Sequence, residues 1–307
     1  MTENIPAPPH VDLNVQDFKK KADWGGYFPT LEDSKWYAKQ IANDKHGYHF
    51  DRLRAIMHLL SPILSSTDSD HSKAKSLPNL PTVLDFGIGD GGMLLNLNIT
   101  AGKVVGVDIS DHMINLAENS LAEFPFEGQV GSAEALKNVA SKSVDLGLCL
   151  NAFGYLTKED QDLFFSEMKR IIKPNGYLII TLGNELFDLF ALNSGTVEFF
   201  ERNFTKTDVS DLLVHSRDER LVNASRRNPL NFGHELNSFR FNEMSQSFSQ
   251  WHKTPPPIAA KEFNGDLQKA RRGMRDYSID PNTIPLEHRW KSNFLCSMFI
   301  SLSKRSS

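Results

Sequence analysis

Apolar residues fall into two textures along this chain. From residue 82 onward the short apolar runs TVLDF, KVVGVD, GQVG, VDLGLCL and GYLIITL alternate with stretches of helical period near residues 91–98, 110–123, 133–139 and 158–173. Short, nearly unbroken apolar runs are what strands covered on both faces require, so the spacing predicts an α/β fold with a doubly wound, mostly parallel sheet. Ser110 stands where it can cap the second of those helices, and Pro174 and Asn175 are turn residues that stop the last one before GYLIITL. Ahead of this region, residues 31–64 read as helical. Phe50, Leu53, Met57, Leu60 and Leu64 follow the three-and-four spacing that puts side chains on one face. Residues 1–64 are therefore read as an N-terminal helical cap. Between cap and sheet lies SSTDSDHSKAKSLPNLP, whose near absence of apolar residues marks 65–81 as a flexible linker. Residues 82–307 form the main domain, and no internal repeat is evident.

Composition narrows the reading. At 307 residues and 40% apolar content the chain can bury one large, elaborated core. A net charge of −4 argues against a surface that captures nucleic acid by neutralising many phosphates. The two cysteines, Cys149 and Cys296, each sit in an apolar run, which suits buried thiols in a reducing compartment, and no metal-ligand spacing occurs. No apolar run approaches the roughly 18 residues of a membrane helix, and MTENIPAPPH has no leader-like pattern, so no membrane insertion and a cytoplasmic place are expected.

The stretch VLDFGIGDGG, residues 83–92, carries the candidate chemistry. Gly87, Gly89 and Gly92 satisfy the dinucleotide pattern G-x-G-x-x-G, while Asp85 to Gly91 also spell D-x-G-x-G-x-G. Charge separates the two ligands these patterns imply. A dinucleotide brings negative phosphates, whereas S-adenosylmethionine (SAM) brings a sulfonium cation and a zwitterionic tail. Asp85, Asp90 and Asp108 crowd the same mouth and disfavour a pyrophosphate. Asp85 can hold an ammonium, and Asp108, at the end of the next strand, can accept ribose hydroxyls with either ligand. Gly87 and Gly89 permit a tight turn and a close backbone approach.

Three segments, VLDFGIGDGG, VVGVDISDHMINLAE and RIIKPNGYLIIT, resemble the class I SAM-dependent methyltransferases in the order that family has them. The resemblance covers residues 82–182 and the final strand FLCSMFISLSK, which it implies to be antiparallel. Carried over by position, it implies that Asp85, Gly87 and Gly89 line the methionine end of SAM, Asp108 the ribose, and Ile109 one face of the adenine. Ser132 and Ala133 fall by the adenine amino group, where the family often has an acid in place of Ser132. Asn151 and Phe153, in NAFGYL after the fourth strand, are expected to face the pocket, whereas Tyr155 is expected to pack on the following helix.

Residues 183–292 are longer than an ordinary loop and are read as an insertion that makes the acceptor site. Within it, Phe187, Phe190, Phe199, Phe200 and Phe204 read as core. His252, between Trp251 and a proline run, is the candidate general base, with His49, His215 and His234 as weaker candidates whose neighbours suggest helix surface or loop. Arg271 and Arg272, with Lys269 and Arg275, could hold a phosphate, and Arg226 and Arg227 are rivals for that role. NELFDLFALN, WHKTPPP and HRWKSNFLCSMF also resemble methyltransferases that modify sugars in surface-polysaccharide synthesis. The expectation is methyl transfer to a small-molecule acceptor, a hydroxyl of a phosphorylated or nucleotide-linked sugar, with methylation of a small amine or amino sugar as the alternative. A non-catalytic SAM-binding module and an NAD-dependent oxidoreductase are the rivals from other classes. A nucleic-acid methyltransferase would carry a base-clamping tetrapeptide where this chain reads NAFG.

Overall fold

The computed structural model describes residues 47–64, 80–97, 99–188, 225–252 and 275–306. Its centre is an eight-stranded sheet in the order β3-β2-β1-β4-β5-β8-β7, with the two-residue β6 paired to β5. The first five strands are β1 (Thr82–Phe86), β2 (Lys103–Asp108), β3 (Phe126–Val130), β4 (Val144–Cys149) and β5 (Ile172–Asn184). All pair in parallel, and the five apolar runs fall on them. β6 is Arg226–Arg227, β7 is Phe241–Trp251 and β8 is Cys296–Arg305. β8 runs antiparallel between β5 and β7, as the resemblance implied.

Helices cover both faces, as the apolar strands demand. On one face lie α1 (Tyr48–Leu64), α2 (Gly92–Asn96) and α3 (Asp111–Ser120). Ile56, Leu60, Leu94 and Ile114 from these helices share a buried cluster with Val83, Leu148, Ile179 and Ile300. On the other face, α4 (Lys158–Ile171) and the short 3₁₀ turn Ala133–Asn138 pack with Leu84, Cys149, Leu178 and Phe299. α5 (Glu185–Asp188), α6 (Phe232–Ser238) and α7 (Ser292–Leu295) are brief connectors. The Ser110 hydroxyl caps α3 by accepting the Met113 N–H at 3.3 Å. The turn expected at Pro174 and Asn175 is a break in register inside β5, where the partner of β4 jumps from Ile172 to Tyr177 and Asn175 takes φ 65°.

Two expectations shift. The buried stripe of α1 runs through Arg52, Ala55, Ile56, Leu59, Leu60 and Ile63, while Phe50 and Leu64 are exposed at 43% and 40%. α1 is a layer of the sheet domain, laid along β7. The Ser247 hydroxyl donates to the Ala55 carbonyl and the Asp51 carboxylate accepts the Gln250 N–H, so the first turn of α1 lies at the carboxyl end of β7. Within the span read as an insertion, FNEMSQSFSQW is an edge strand of the sheet. Its small residues Ser247 and Ser249, fully buried, hid the strand because an alternating pattern of serine and phenylalanine carries little apolar signal. The rest of the expected linker, residues 65–79, lies outside the described residues, as do 189–224 and 253–274 with Arg271, Arg272, Lys269, His215, Phe190, Phe199, Phe200 and Phe204.

Candidate functional site

The carboxyl ends of β1, β2, β4 and β5 meet along one edge, where open α/β sheets take their ligands. β1 delivers Asp85 and then turns sharply. Gly87, at φ 76°, donates to the Val107 carbonyl at 2.7 Å, and a Cβ on it would stand 2.4 Å from the methyl of Ala152, so only glycine lets the loops after β1 and β4 meet. Gly89 faces open space, with nothing within 4 Å of where its Cβ would be. The turn is therefore packed on one side and vacant on the other, the shape of a cradle.

Two carboxyls line this cradle, and their surroundings differ. Asp108 is half-buried and accepts the Gly89 N–H and the Ser110 N–H, each at 3.0 Å. Burial pushes its pKa up to about 6 against the pull of those backbone donors. Asp85 is 2% exposed, and its buried Oδ1 has no hydrogen-bond partner. Burial, then the charge of Asp108, push its pKa up to about 7, and the charge of Arg52 on α1 opposes them. A buried carboxylate oxygen with no donor is costly unless a cation completes it. An ammonium such as that of SAM would complete it, whereas a pyrophosphate would meet two acids.

Asn151 follows β4 in the left-handed region, at φ 70°. Thr181 of β5 holds it there: the Thr181 hydroxyl accepts the Asn151 N–H at 2.6 Å and donates to Asn151 Oδ1 at 3.2 Å. Ile109 is half-buried beside Asp108 and offers an apolar flank. Ser132 is half-buried and its N–H donates to Glu134 Oε1 at 3.2 Å, so a carboxylate stands beside it two residues later than the family places one. Sequence reasoning passed over Glu134; the displaced acid was its signal.

Two of the residues expected to contact the ligand have their side chains turned into the core. Phe153 is fully buried on the α4 face, with ring centroids 5.5 Å from Phe164 and 5.1 Å from Phe165. It packs the following helix because the loop after β4 turns its ring beneath the sheet. Ala133 has a fully buried methyl in the same core.

His252 lies at the same carboxyl edge, at the far end of β7. It is 1% exposed, its N–H donates to the Leu295 carbonyl at 2.8 Å, and its ring packs 4.6 Å from that of Phe187. Three strand spacings separate β7 from β4, about 14 Å. The structure does not bring His252 together with the carboxylates of the cradle. Arg275 pairs with it through a backbone bridge, and His234 is exposed on α6.

On the α4 face a groove of about 650 Å³ is lined by Leu156, Lys158, Gln161, Arg227, Glu235 and Phe239. It contains none of the cradle residues, so the cofactor reading rests on the carboxylates and the glycine turn. Among the described residues there is no cluster of three or more metal-ligating side chains, and no helix is long and apolar enough to cross a membrane. Both cysteines are buried and free.

Residues 84–180 match a family model described as a methyltransferase domain. The chain is 28% identical over 123 residues to the ubiquinone/menaquinone biosynthesis C-methyltransferase UbiE of Teredinibacter turnerae, across 36% of this chain and 49% of that protein. It is also 28% identical over 190 residues to an uncharacterized protein of Haemophilus influenzae, across 59% of this chain and 66% of that one. The chain thus spans about half the length of the first of these relatives and two thirds of the second. Its fold is similar to that of a chain from the complex between the Haloferax volcanii Trm112 methyltransferase activator and a methyltransferase, with a TM-score of 0.52, 16% identity, and coverage of 90% of this chain and 97% of that one.

Proposed function

We propose that this chain, which carries a class I SAM-dependent methyltransferase domain, transfers the methyl group to a small-molecule acceptor held at the carboxyl edge of β4 and β5. The observation that carries the reading is the buried Asp85 carboxyl with an uncompleted oxygen beside a glycine turn that is open on one side. SAM, when bound, supplies the activated methyl and the leaving sulfide. The residues of this chain supply position. Asp85 would hold the ammonium and Asp108 the ribose hydroxyls, with Ile109 flanking the adenine and Glu134, beside Ser132, accepting from its amino group. Asn151, fixed by Thr181, would border the methionine end. Alignment of two reactants accounts for roughly 7 to 11 kcal/mol of a barrier, so a strong base is not a requirement.

The acceptor fits a hydroxyl of a phosphorylated or nucleotide-linked sugar, a reading supported by the arginine-rich segments and by the sequence resemblance of NELFDLFALN and WHKTPPP. Buried free thiols suit a cytoplasmic setting. Screening sugar nucleotides, phosphosugars, free sugars and amines for methyl transfer from labelled SAM tests it. Activity on phosphosugars is the expected result; activity confined to uncharged amines would return the reading to N-methylation.

A further inference from the structure

The pair Arg226–Arg227 forms β6, and its place in the sheet separates two arginines that are adjacent in sequence. β6 pairs in parallel with β5 through Gly183 and Asn184, while β8 holds the other edge of Gly183 through Met298. β6 therefore continues the column of β4, whose own pairing with β5 ends at Cys149 and Ile180. Neighbouring residues of a strand face opposite ways. Arg227 turns to the α4 face, where Glu235 accepts from its Nε at 2.6 Å, Gln161 Oε1 accepts from its Nη2 at 2.6 Å, and its guanidinium lies 5.6 Å from the Phe153 ring. It is a clamp that fixes the strand.

Arg226 turns the other way and lies across Gly183. A Cβ on Gly183 would stand 2.8 Å from its Nη1 and 3.1 Å from its Cγ, so the bare glycine leaves the space this side chain fills. Gly183 shares its face of β5 with Thr181, Ile179 and Tyr177, and Ile179 and Tyr177 pack with Val83 of β1 in the cluster on the α1 side. Asp85 follows Val83 by two residues and faces that side also. The half-buried Arg226 thus stands on the same face of the sheet as Asp85, past the end of β4, at the carboxyl edge where open α/β sheets take their ligands.

Resting on the methyltransferase reading, we propose that Arg226 is the anchor for an anionic group of the acceptor, a carboxylate or a phosphate. Its planar fork suits either, and Gly183 sets its height above the sheet.

The test uses the full chain loaded with S-adenosylhomocysteine and titrated calorimetrically with pyrophosphate and with malonate, beside titrations of the free chain with SAM and decarboxylated SAM. Wild type is expected to bind at least one of the two anions, and Arg226→Met to weaken that binding by about tenfold or more. Gly183→Ala, which keeps the guanidinium but displaces it, is expected to do the same, and it carries the test if Arg226→Met melts early. Both variants should bind SAM within about twofold of wild type. Equal anion binding by wild type and both variants, or none by wild type, overturns the proposal. So does a loss of SAM affinity in Arg226→Met that decarboxylated SAM does not show, because the anion would then be the cofactor's own. A wild-type chain that binds no SAM overturns the methyltransferase reading instead.

Discussion

Two buried carboxyls on the α1 side of the sheet differ in how the described chain meets them. Asp51, 1% exposed, sits in the seam between α1 and β7 and is met from two sides, by the Gln250 N–H at 2.6 Å and by the Arg54 guanidinium. Arg54 in turn reaches Asp280 and the Ile279 carbonyl, so the seam closes on itself. Asp85, equally buried, has an oxygen that no group of the described chain meets. Burial raises the pKa of both. A fold tolerates a desolvated charge by surrounding it with donors, and where it omits them the carboxyl keeps its proton until a cationic partner draws it off.

The comparison is sharpest when each acid is removed. Asp51→Ala is expected to destabilise the chain by about 2 to 4 kcal/mol, since it leaves a buried N–H unmet and breaks a buried pair, and to leave SAM affinity little changed once folded. Asp85→Asn should do the reverse, holding or raising the melting temperature while weakening SAM by about 1.5 to 3 kcal/mol. Melting curves and calorimetry on the two variants measure both effects. Matching losses of stability would dissolve the distinction.

A pH series probes the same contrast in wild type. Burial pushes the pKa of the Asp85 carboxyl up to about 7 in the folded chain, against an ordinary 3.8. The folded chain binds the carboxyl's proton more tightly than the unfolded one. The contribution of Asp85 to stability is therefore full below 3.8 and is lost as pH rises to about 7. SAM affinity takes the opposite sign, because its ammonium needs the ionised carboxyl. It should climb by up to about tenfold per unit and level off near neutrality, with Asp108 adding to the rise. A flat affinity between about pH 5 and pH 8 would remove Asp85 from the site.

The smallest effect on chemistry is expected at His252. Enclosed beside Phe187 and about three strand spacings from β4, it is expected to act as packing in the wall. His252→Ala should lower the melting temperature and change kcat by less than about threefold, keeping the acidic limb of the pH profile. A loss of roughly 10² or more in kcat with that limb flattened would restore it as a general base.

Much of this was legible in the residues. Val83, Val104, Leu146 and Leu178 announce parallel strands because each run is buried on both faces, and Asp85, Gly87, Gly89 and Asp108 stand at the carboxyl ends of two adjacent strands. Long-range features were less legible. Nothing local tells that Phe153 turns beneath the sheet onto Phe164, that Ser247 on β7 meets the backbone of α1, or that Arg226 crosses Gly183. Those placements are decided by partners distant in sequence, where a single residue type carries no period.

The central claim is that the uncompleted carboxyl at the glycine turn is a site for the SAM ammonium. Calorimetry of the wild-type chain with SAM and with NAD, run near pH 6 in buffers of different ionisation enthalpy, tests it most directly. The account predicts SAM binding in the micromolar range with release of a proton from Asp85 and no heat from NAD. Tight NAD binding without heat from SAM, or SAM binding with no proton released, would contradict it.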